Sequence, residues 1–109
     1  MVYTKQGLEI IDFEGGKFYK APSAVVEDGA EVGGETTIWH NARVLKGAKV
    51  GSGCVLGAGV SIENGANIGN HVKIQSGGSP IFKGVKLEDY VFIGPSVVFT
   101  NDHNPRAFG

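Results

Sequence analysis

Residues 42–74 read ARVLKG AKVGSG CVLGAG VSIENG ANIGNH VKI, in which every group of six opens on a small or β-branched residue and carries an aliphatic residue two positions later. The same spacing extends in both directions, with one extra residue between Ile74 and Ile81. A period of six is neither 3.6 nor 2, so neither an amphipathic helix nor an alternating strand explains it. The repeated aliphatic or aromatic positions are Val26, Val32, Ile38, Val44, Val50, Leu56, Ile62, Ile68, Ile74, Ile81, Leu87, Ile93 and Phe99.

A short strand followed by a tight turn, repeated, accounts for this period. Three such units make a triangular coil of about eighteen residues, with the aliphatic side chain inward, the small residue near the corner and Gly in the turn. A coil buries its core only against its neighbours. We therefore predict an all-β fold, a single-stranded left-handed parallel β-helix of hexapeptide repeats, with about four coils between Ala24 and Phe99.

The two ends of the chain differ from the repeat. In LEIIDFEGGKFYK (residues 8–20), two β-prone runs flank Gly15-Gly16, which predicts a short β-hairpin that caps the first coil. We thus divide the chain into a cap segment, 1–20, and a β-helix domain, 21–109. The other end has no such cover. An open coil edge favours aggregation, so we expect further coils beyond the sequence or a partner on that end.

Composition limits the remaining classes. The chain has 109 residues, a formal net charge of −1 and 41% hydrophobic residues, which favours one folded domain over disorder. Its only cysteine, Cys54, cannot form an intramolecular disulfide, which suits a reducing compartment. The start lacks a secretory signal, no apolar run could span a membrane, and no basic patch indicates nucleic acid. We expect a cytoplasmic protein with neither a membrane nor a nucleic-acid partner.

Three stretches carry a resemblance to a known family: TIWHNARV (37–44), NHVKIQ (70–75) and GVKLEDYVFIGPSVVFTN (84–101), which is followed by NPR (104–106). Across residues 22–106 the chain resembles hexapeptide-repeat acyltransferases that N-acetylate nucleotide-linked amino sugars, such as UDP-2-acetamido-3-amino-2,3-dideoxy-glucuronate or dTDP-3-amino-3,6-dideoxyhexoses. The resemblance implies acetyl-CoA as co-substrate, no metal, a role in surface polysaccharide biosynthesis and a homotrimer. It also implies that CoA lies between two β-helices, held mainly by main-chain groups, and that this chain is incomplete at its C-terminus.

The resemblance also places candidate site residues after the last repeat. Asn101 matches the Asn of the family's Phe-Thr-Asn motif and would hold a sugar hydroxyl or the reacting amine; the alternative is an Asn that satisfies a turn backbone. His103 is a candidate base for the amine proton, against a solvated loop histidine. Asp102 would orient His103 or bind substrate. Arg106 would pair with a sugar carboxylate or a diphosphate, against a surface arginine.

The other candidate residues have structural interpretations. Cys54 occupies the small-residue position of its hexad and is expected to be a buried space-filler rather than a nucleophile. His40, which follows Trp39 at a corner, is expected to stack there or face a subunit interface. His71 is expected in a turn, facing solvent or a neighbouring subunit. We also expect Pro80 to stiffen the loop at the register slip.

Two alternatives remain open. The chain reads Gln75-Ser76-Gly77-Gly78 where the family reads a Gln-Asn-Asn run, which leaves room for a non-catalytic or degenerate β-helix assembly protein. The second alternative is a zinc-dependent carbonic anhydrase of the γ type, which needs three converging imidazoles. The three histidines here, His40, His71 and His103, fall at different phases of the hexad, which disfavours it.

Overall fold

The computed structural model describes residues 3–76 and 80–95, and within these ranges the chain forms strands and turns but no helix. Two five-residue strands come first, β1 (Glu9–Phe13) and β2 (Gly16–Lys20). All later strands have two residues, which is the length that a hexad with a tight turn leaves for a strand. They are β3 (Val25–Val26), β4 (Glu31–Val32), β5 (Thr37–Ile38), β6 (Arg43–Val44), β7 (Lys49–Val50), β8 (Val55–Leu56), β9 (Ser61–Ile62), β10 (Asn67–Ile68), β11 (Lys73–Ile74), β12 (Lys86–Leu87) and β13 (Phe92–Ile93).

These strands form three sheets, one on each side of a triangular coil. The six-stranded sheet has the order β1-β2-β5-β8-β11-β13, the four-stranded sheet β12-β10-β7-β4 and the three-stranded sheet β3-β6-β9. From β2 onward every pairing is parallel, and Thr37 pairs with Val55, one coil or 18 residues further along. The predicted parallel β-helix of about four coils is therefore confirmed, and it is consistent with the left-handed class of hexapeptide-repeat folds.

The core consists of columns of aliphatic side chains stacked along the coil axis. Most of the aliphatic residues of the hexads are buried, and Ile38, Leu56 and Ile62 are fully so. The small residue two positions earlier is buried as well, as at Ala42 and Ala48. A larger side chain in either position would have to displace the same position of the coils above and below, so close packing keeps the residue size at each position similar from coil to coil.

The register slip lies where the spacing places it. Ile62 pairs with Ile81 and Asn67 with Lys86, a separation of 19 residues instead of 18. Lys73 pairs with Phe92 at the same separation. Since every later position shifts by one together, the inward residues remain inward. The extra residue therefore lies between Ile74 and Ile81.

The corners depend on backbone conformations that are uncommon for L-residues. At the corner between the four-stranded and six-stranded sheets, Glu35, Gly53, His71 and Tyr90 all have positive φ, from 56° to 67°. The N–H of Gly53, His71 and Tyr90 donates to a carbonyl of the coil before, at 2.8–2.9 Å. This bond satisfies a turn donor in each coil, which helps offset the strain of a side chain in the left-handed region.

The predicted N-terminal hairpin is present and forms part of the coil stack. β1 pairs antiparallel with β2, and β2 in turn pairs in parallel with β5. The hairpin therefore covers the edge of one sheet, while the first strands of the other two sheets, β3 and β4, have no further strand on that edge among the described residues.

Lys20, at the end of β2, takes the inward register position one coil before Ile38. Its ammonium lies 2.9 Å from the Glu9 carboxylate and donates to the Ala24 carbonyl at 3.1 Å. Only 18% of the Lys20 side chain and 12% of the Glu9 side chain are exposed. The aliphatic column of this sheet thus ends in a largely buried ion pair.

The close approach of the coils can be tested at two adjacent glycines, Gly33 and Gly34. A Cβ on Gly33 would lie 2.6 Å from the carbonyl carbon of Gly51, whereas on Gly34 the nearest atom would be 3.8 Å away. We expect Gly33→Ala to lower the free energy of unfolding by about 1–3 kcal/mol, because backbone must move. Gly34→Ala should change it by less than about 0.5 kcal/mol. Chemical denaturation measures both, and equal effects would contradict the predicted backbone clash.

Candidate functional site

The residues predicted to carry the chemistry, Asn101, Asp102, His103 and Arg106, lie outside the described residues. Their roles stay predictions. The described coils nevertheless show what an asparagine does when it serves the turns. Asn64 Nδ2 donates to the Lys46 carbonyl of the previous coil at 2.7 Å, and Asn70 Oδ1 accepts from the backbone N–H of Ser52 at 2.8 Å. Asn64 and Asn70 therefore show, in the same chain, the support of a turn backbone that is the structural alternative for Asn101.

At the Asn70 corner these hydrogen bonds between successive coils form a ladder, which continues one coil further. The backbone N–H of Asn70 donates to Asp89 Oδ1 at 2.8 Å, just as Ser52 donates to Asn70. Each side chain satisfies a turn donor that strand pairing leaves free. These short polar residues tie successive coils together at the corner.

His71 and Tyr90 stack at the same corner. Their ring centroids are 5.0 Å apart with an interplanar angle of 15°. Both side chains are exposed, so the predicted turn position of His71 is confirmed, while a contact with a neighbouring subunit stays a prediction. A side chain on Gly53, one coil earlier, would collide with the imidazole. The imidazole thus lies in a column of turn residues and makes no hydrogen bond among the described residues.

His40 lies at a different corner, between the six-stranded and three-stranded sheets. Its ring is tilted by 53° to that of Trp39, at a centroid distance of 6.1 Å, and its side chain is exposed. The His40 carbonyl accepts from Gly59 of the next coil, and Asn41 beside it adopts φ 60°. The expected corner position is confirmed, while a role at a subunit interface stays a prediction.

Cys54 is fully buried and unpaired, as its place in the hexad predicts. Its Sγ lies 3.1 Å from the Gly69 carbonyl, and its N–H donates to the buried Thr36 hydroxyl at 3.2 Å. Burial raises the pKa of the Cys54 thiol above its ordinary value, although nearby backbone groups and Thr36 act in the opposite direction. A buried, protonated thiol is a poor nucleophile.

The described residues offer no metal site. Between residues 3 and 76 and between 80 and 95, no three His, Cys, Asp or Glu side chains are grouped so that they could hold an ion. His40 and His71 lie at different corners, and His103 is outside these ranges. The described part of the chain therefore gives no support to the carbonic anhydrase alternative.

A groove opens on the outer face of the six-stranded sheet, beside the N-terminal hairpin. Its volume is about 460 Å³, and the N-terminal turn forms one wall. On its floor, the Tyr19 hydroxyl donates to Glu35 Oε2 at 2.9 Å, and this bond raises the pKa of the Tyr19 phenol. The described lining residues are Thr4, Gln6, Leu8, Ile10, Lys17, Tyr19, Thr37 and Trp39.

Sequence reasoning did not find this groove, because only the inward positions of the hexads carry a periodic signal. The outward positions on β2 and β5 are free to vary, and Tyr19 and Thr37 pair across these two strands. The sequence feature that could have indicated the groove was the pair of an aromatic and a hydroxyl side chain, Tyr19 and Thr37, at corresponding outward positions, with Trp39 two residues after Thr37.

Comparison with known proteins agrees with the fold. Residues 29–64 match the family model described as bacterial transferase hexapeptide (six repeats), which is about a third of the chain. These residues run from the first-coil turn at Gly29 through β4 to β9. No curated protein matches the chain in sequence. No helix in the described ranges is long and apolar enough to cross a membrane.

The matched segment and the β-helix together support a hexapeptide-repeat transferase. The family description suggests transferase activity in general and names no substrate.

Asn70 and Asn67 provide a matched pair for the corner ladder. Asn70 accepts the Ser52 N–H, whereas the exposed Asn67 on β10 makes no side-chain hydrogen bond among the described residues. We expect Asn70→Ala to lower the free energy of unfolding by about 1 kcal/mol, because it leaves a turn donor without its partner. Asn67→Ala should change it by less than about 0.5 kcal/mol. Denaturant titration of both variants measures the difference, and a smaller loss for Asn70→Ala would contradict the ladder's contribution.

The raised pKa of the Cys54 thiol predicts that the free energy of unfolding falls at alkaline pH. The pKa of the Cys54 thiol is higher in the folded protein than in the unfolded chain. The contribution of the neutral thiol to the free energy of unfolding is therefore complete below the unfolded pKa of about 8.5, and it is lost as pH rises through the folded pKa. We expect the free energy of unfolding to fall above about pH 9, and to fall less steeply in Cys54→Ala. Native Cys54 should also react with iodoacetamide roughly 100-fold more slowly than the denatured chain. Fast alkylation of the folded protein would show that the thiol is accessible.

Proposed function

We propose that this protein is an acyl-CoA-dependent acyltransferase that N-acetylates the amino group of a nucleotide-linked amino sugar in surface polysaccharide biosynthesis. The observation that carries the proposal is the match of residues 29–64 to a transferase family of hexapeptide repeats, within a β-helix of that architecture. The acetyl group and the sugar nucleotide come from the resemblance of residues 84–101 and 104–106 to nucleotide-sugar N-acetyltransferases.

The proposed reaction is the aminolysis of a thioester. The neutral sugar amine attacks the acetyl carbonyl, a C–N bond forms, and a negative charge develops on the carbonyl oxygen. The C–S bond then breaks, CoA leaves as the thiol, and the amine loses one proton. The protein must bring the two substrates together, stabilise the oxyanion and provide a path for that proton.

Four residues are proposed for these tasks. Asn101 holds the amine or a neighbouring sugar hydroxyl, because an amide binds both without titrating. His103 accepts the amine proton near neutral pH, and Asp102 orients its imidazole or binds substrate. Arg106 pairs with the diphosphate or a sugar carboxylate, since a planar guanidinium suits two oxygens.

The proposal includes a cytoplasmic homotrimer with acetyl-CoA in the cleft between neighbouring β-helices. A free buried thiol such as Cys54 suits a reducing compartment. The oligomer matters to the chemistry, because each cleft would require two chains.

The first test is a calorimetric titration of the purified chain with acetyl-CoA, after its mass in solution has been measured. We expect a trimer with one binding site per chain. Nucleotide-linked amino sugars are then screened as acceptors. Asn101→Ala should lower kcat by roughly 100-fold if the amide contacts the reacting groups, while Asn67→Ala, which loses an exposed amide of the same kind, should keep full activity.

Stability separates the two interpretations of Asn101. A variant that loses activity but keeps its free energy of unfolding supports the substrate role, whereas a loss of about 1 kcal/mol of stability with activity retained supports a turn ladder. A folded trimer that binds no acetyl-CoA would contradict the transferase and favour an assembly protein.

A further inference from the structure

The groove on the outer face of the six-stranded sheet combines an aromatic floor with polar side chains. Tyr19 and Thr37 lie side by side on the paired strands β2 and β5, and Trp39 follows β5 at the edge of the same floor. Aromatic rings of this kind offer a flat apolar surface together with a polar N–H or O–H. The floor can therefore contact both the carbon skeleton and the hydroxyl groups of a ligand.

The wall of the groove is already formed in the folded chain. The backbone N–H of Thr4 donates to the Leu8 carbonyl at 2.7 Å, and the N–H of Gly7 donates to the Thr4 carbonyl at 3.0 Å. The Thr4 hydroxyl accepts the Leu8 N–H at 3.1 Å, and the Leu8 side chain is buried. Since this turn is held by three hydrogen bonds and an apolar anchor, a ligand would lose little affinity to ordering it.

Three polar side chains of the groove remain available to a ligand. Gln6, Lys17 and Thr37 make no side-chain hydrogen bond within the described residues, so an amide, an ammonium and a hydroxyl are free to bind. The Tyr19 hydroxyl is already committed to Glu35. Donors thus outnumber free acceptors, and among the described lining residues the one charged group is the Lys17 ammonium.

The size of the groove fits a small ligand. Its volume of about 460 Å³ lies within the usual range for small-molecule sites. A pyranose ring presents one face of C–H groups to an aromatic side chain and a rim of hydroxyls to amides and hydroxyls. We infer that this groove binds a sugar ring, with the ring face against Trp39 and its hydroxyls hydrogen-bonded to Thr37 and Gln6.

The inference does not rest on the proposed acyl transfer. Sugar binding here requires no CoA, no second substrate and none of the residues from Asn101 to Arg106. A chain that fails to bind acetyl-CoA would still bind the sugar, so the failure of one proposal is separable from the failure of the other.

Trp39 is the only tryptophan of the chain, which makes the test direct. Its fluorescence is followed while N-acetylglucosamine, UDP-N-acetylglucosamine and uridine are titrated separately, without any acyl donor. We expect a saturable change with both sugars, with Kd on the order of 1 mM for the monosaccharide, and no such change with uridine.

Variants then connect the signal to the groove. Thr37→Val keeps the branched shape and removes the hydroxyl, and it should weaken sugar binding about threefold or more. Trp39→Ala, followed by calorimetry, should weaken it at least about tenfold. The matched control is Phe92→Ala, which removes an exposed aromatic from the same sheet four strands along from β2 and should leave sugar binding unchanged.

Three results would overturn the inference. The first is the absence of saturable binding of N-acetylglucosamine by folded protein. The second is binding of uridine and UDP-N-acetylglucosamine without binding of the monosaccharide, which would assign the groove to a nucleobase. The third is the loss of sugar binding as the chain assembles at rising protein concentration, which would show that a second copy of the chain covers the groove.

Discussion

Every coil of this molecule depends on the coil beside it for both its hydrogen bonds and its core. The strands in a single coil of the β-helix have two residues each, which is too short for them to be stable alone. The interior of one coil is a single layer of side chains. Stacking in register satisfies the backbone groups and closes the core in the same step. The narrow tolerance at Gly33, where a single methyl would meet the next coil, shows how closely the layers approach.

This constraint explains why the fold could be predicted and the site could not. The columns through Ile38 and Ala42 repeat because the interior admits one shape in each layer, and the hairpin is visible from two β-prone runs around Gly15. The extra residue before Ile81 was visible because it interrupts a column. In contrast, Tyr19, Thr37 and Trp39 face outward, where neighbouring coils impose no identity, so their meeting in a groove follows only from the three-dimensional pairing of β2 with β5.

The role of Lys20 was also not evident in the sequence. The hexad pattern begins at Val26, and Lys20 lies one step before it without an aliphatic side chain to mark it as inward. The strand pairing places it in the column of Ile38, with Glu9 from the hairpin as its ion partner. Predicting that contact would have required knowing that the cap continues a sheet of the β-helix rather than lying across its end. The corners present the same difficulty. Short polar side chains such as Asn70 accept hydrogen bonds from backbone donors there, so a functional asparagine and a structural one look alike in the sequence.

The Lys20–Glu9 pair also defines where the stack can stop. A parallel β-helix is in principle an open-ended assembly, since each coil presents to the next what it received from the last. A further coil placed on this side would have to bury an ammonium among aliphatic side chains and separate it from its carboxylate, which is strongly unfavourable. Inward-pointing charge is one of the devices by which natural sheets avoid joining edge to edge. The charge that completes the column of Ile38 therefore also disfavours the addition of a further coil at this edge of the six-stranded sheet.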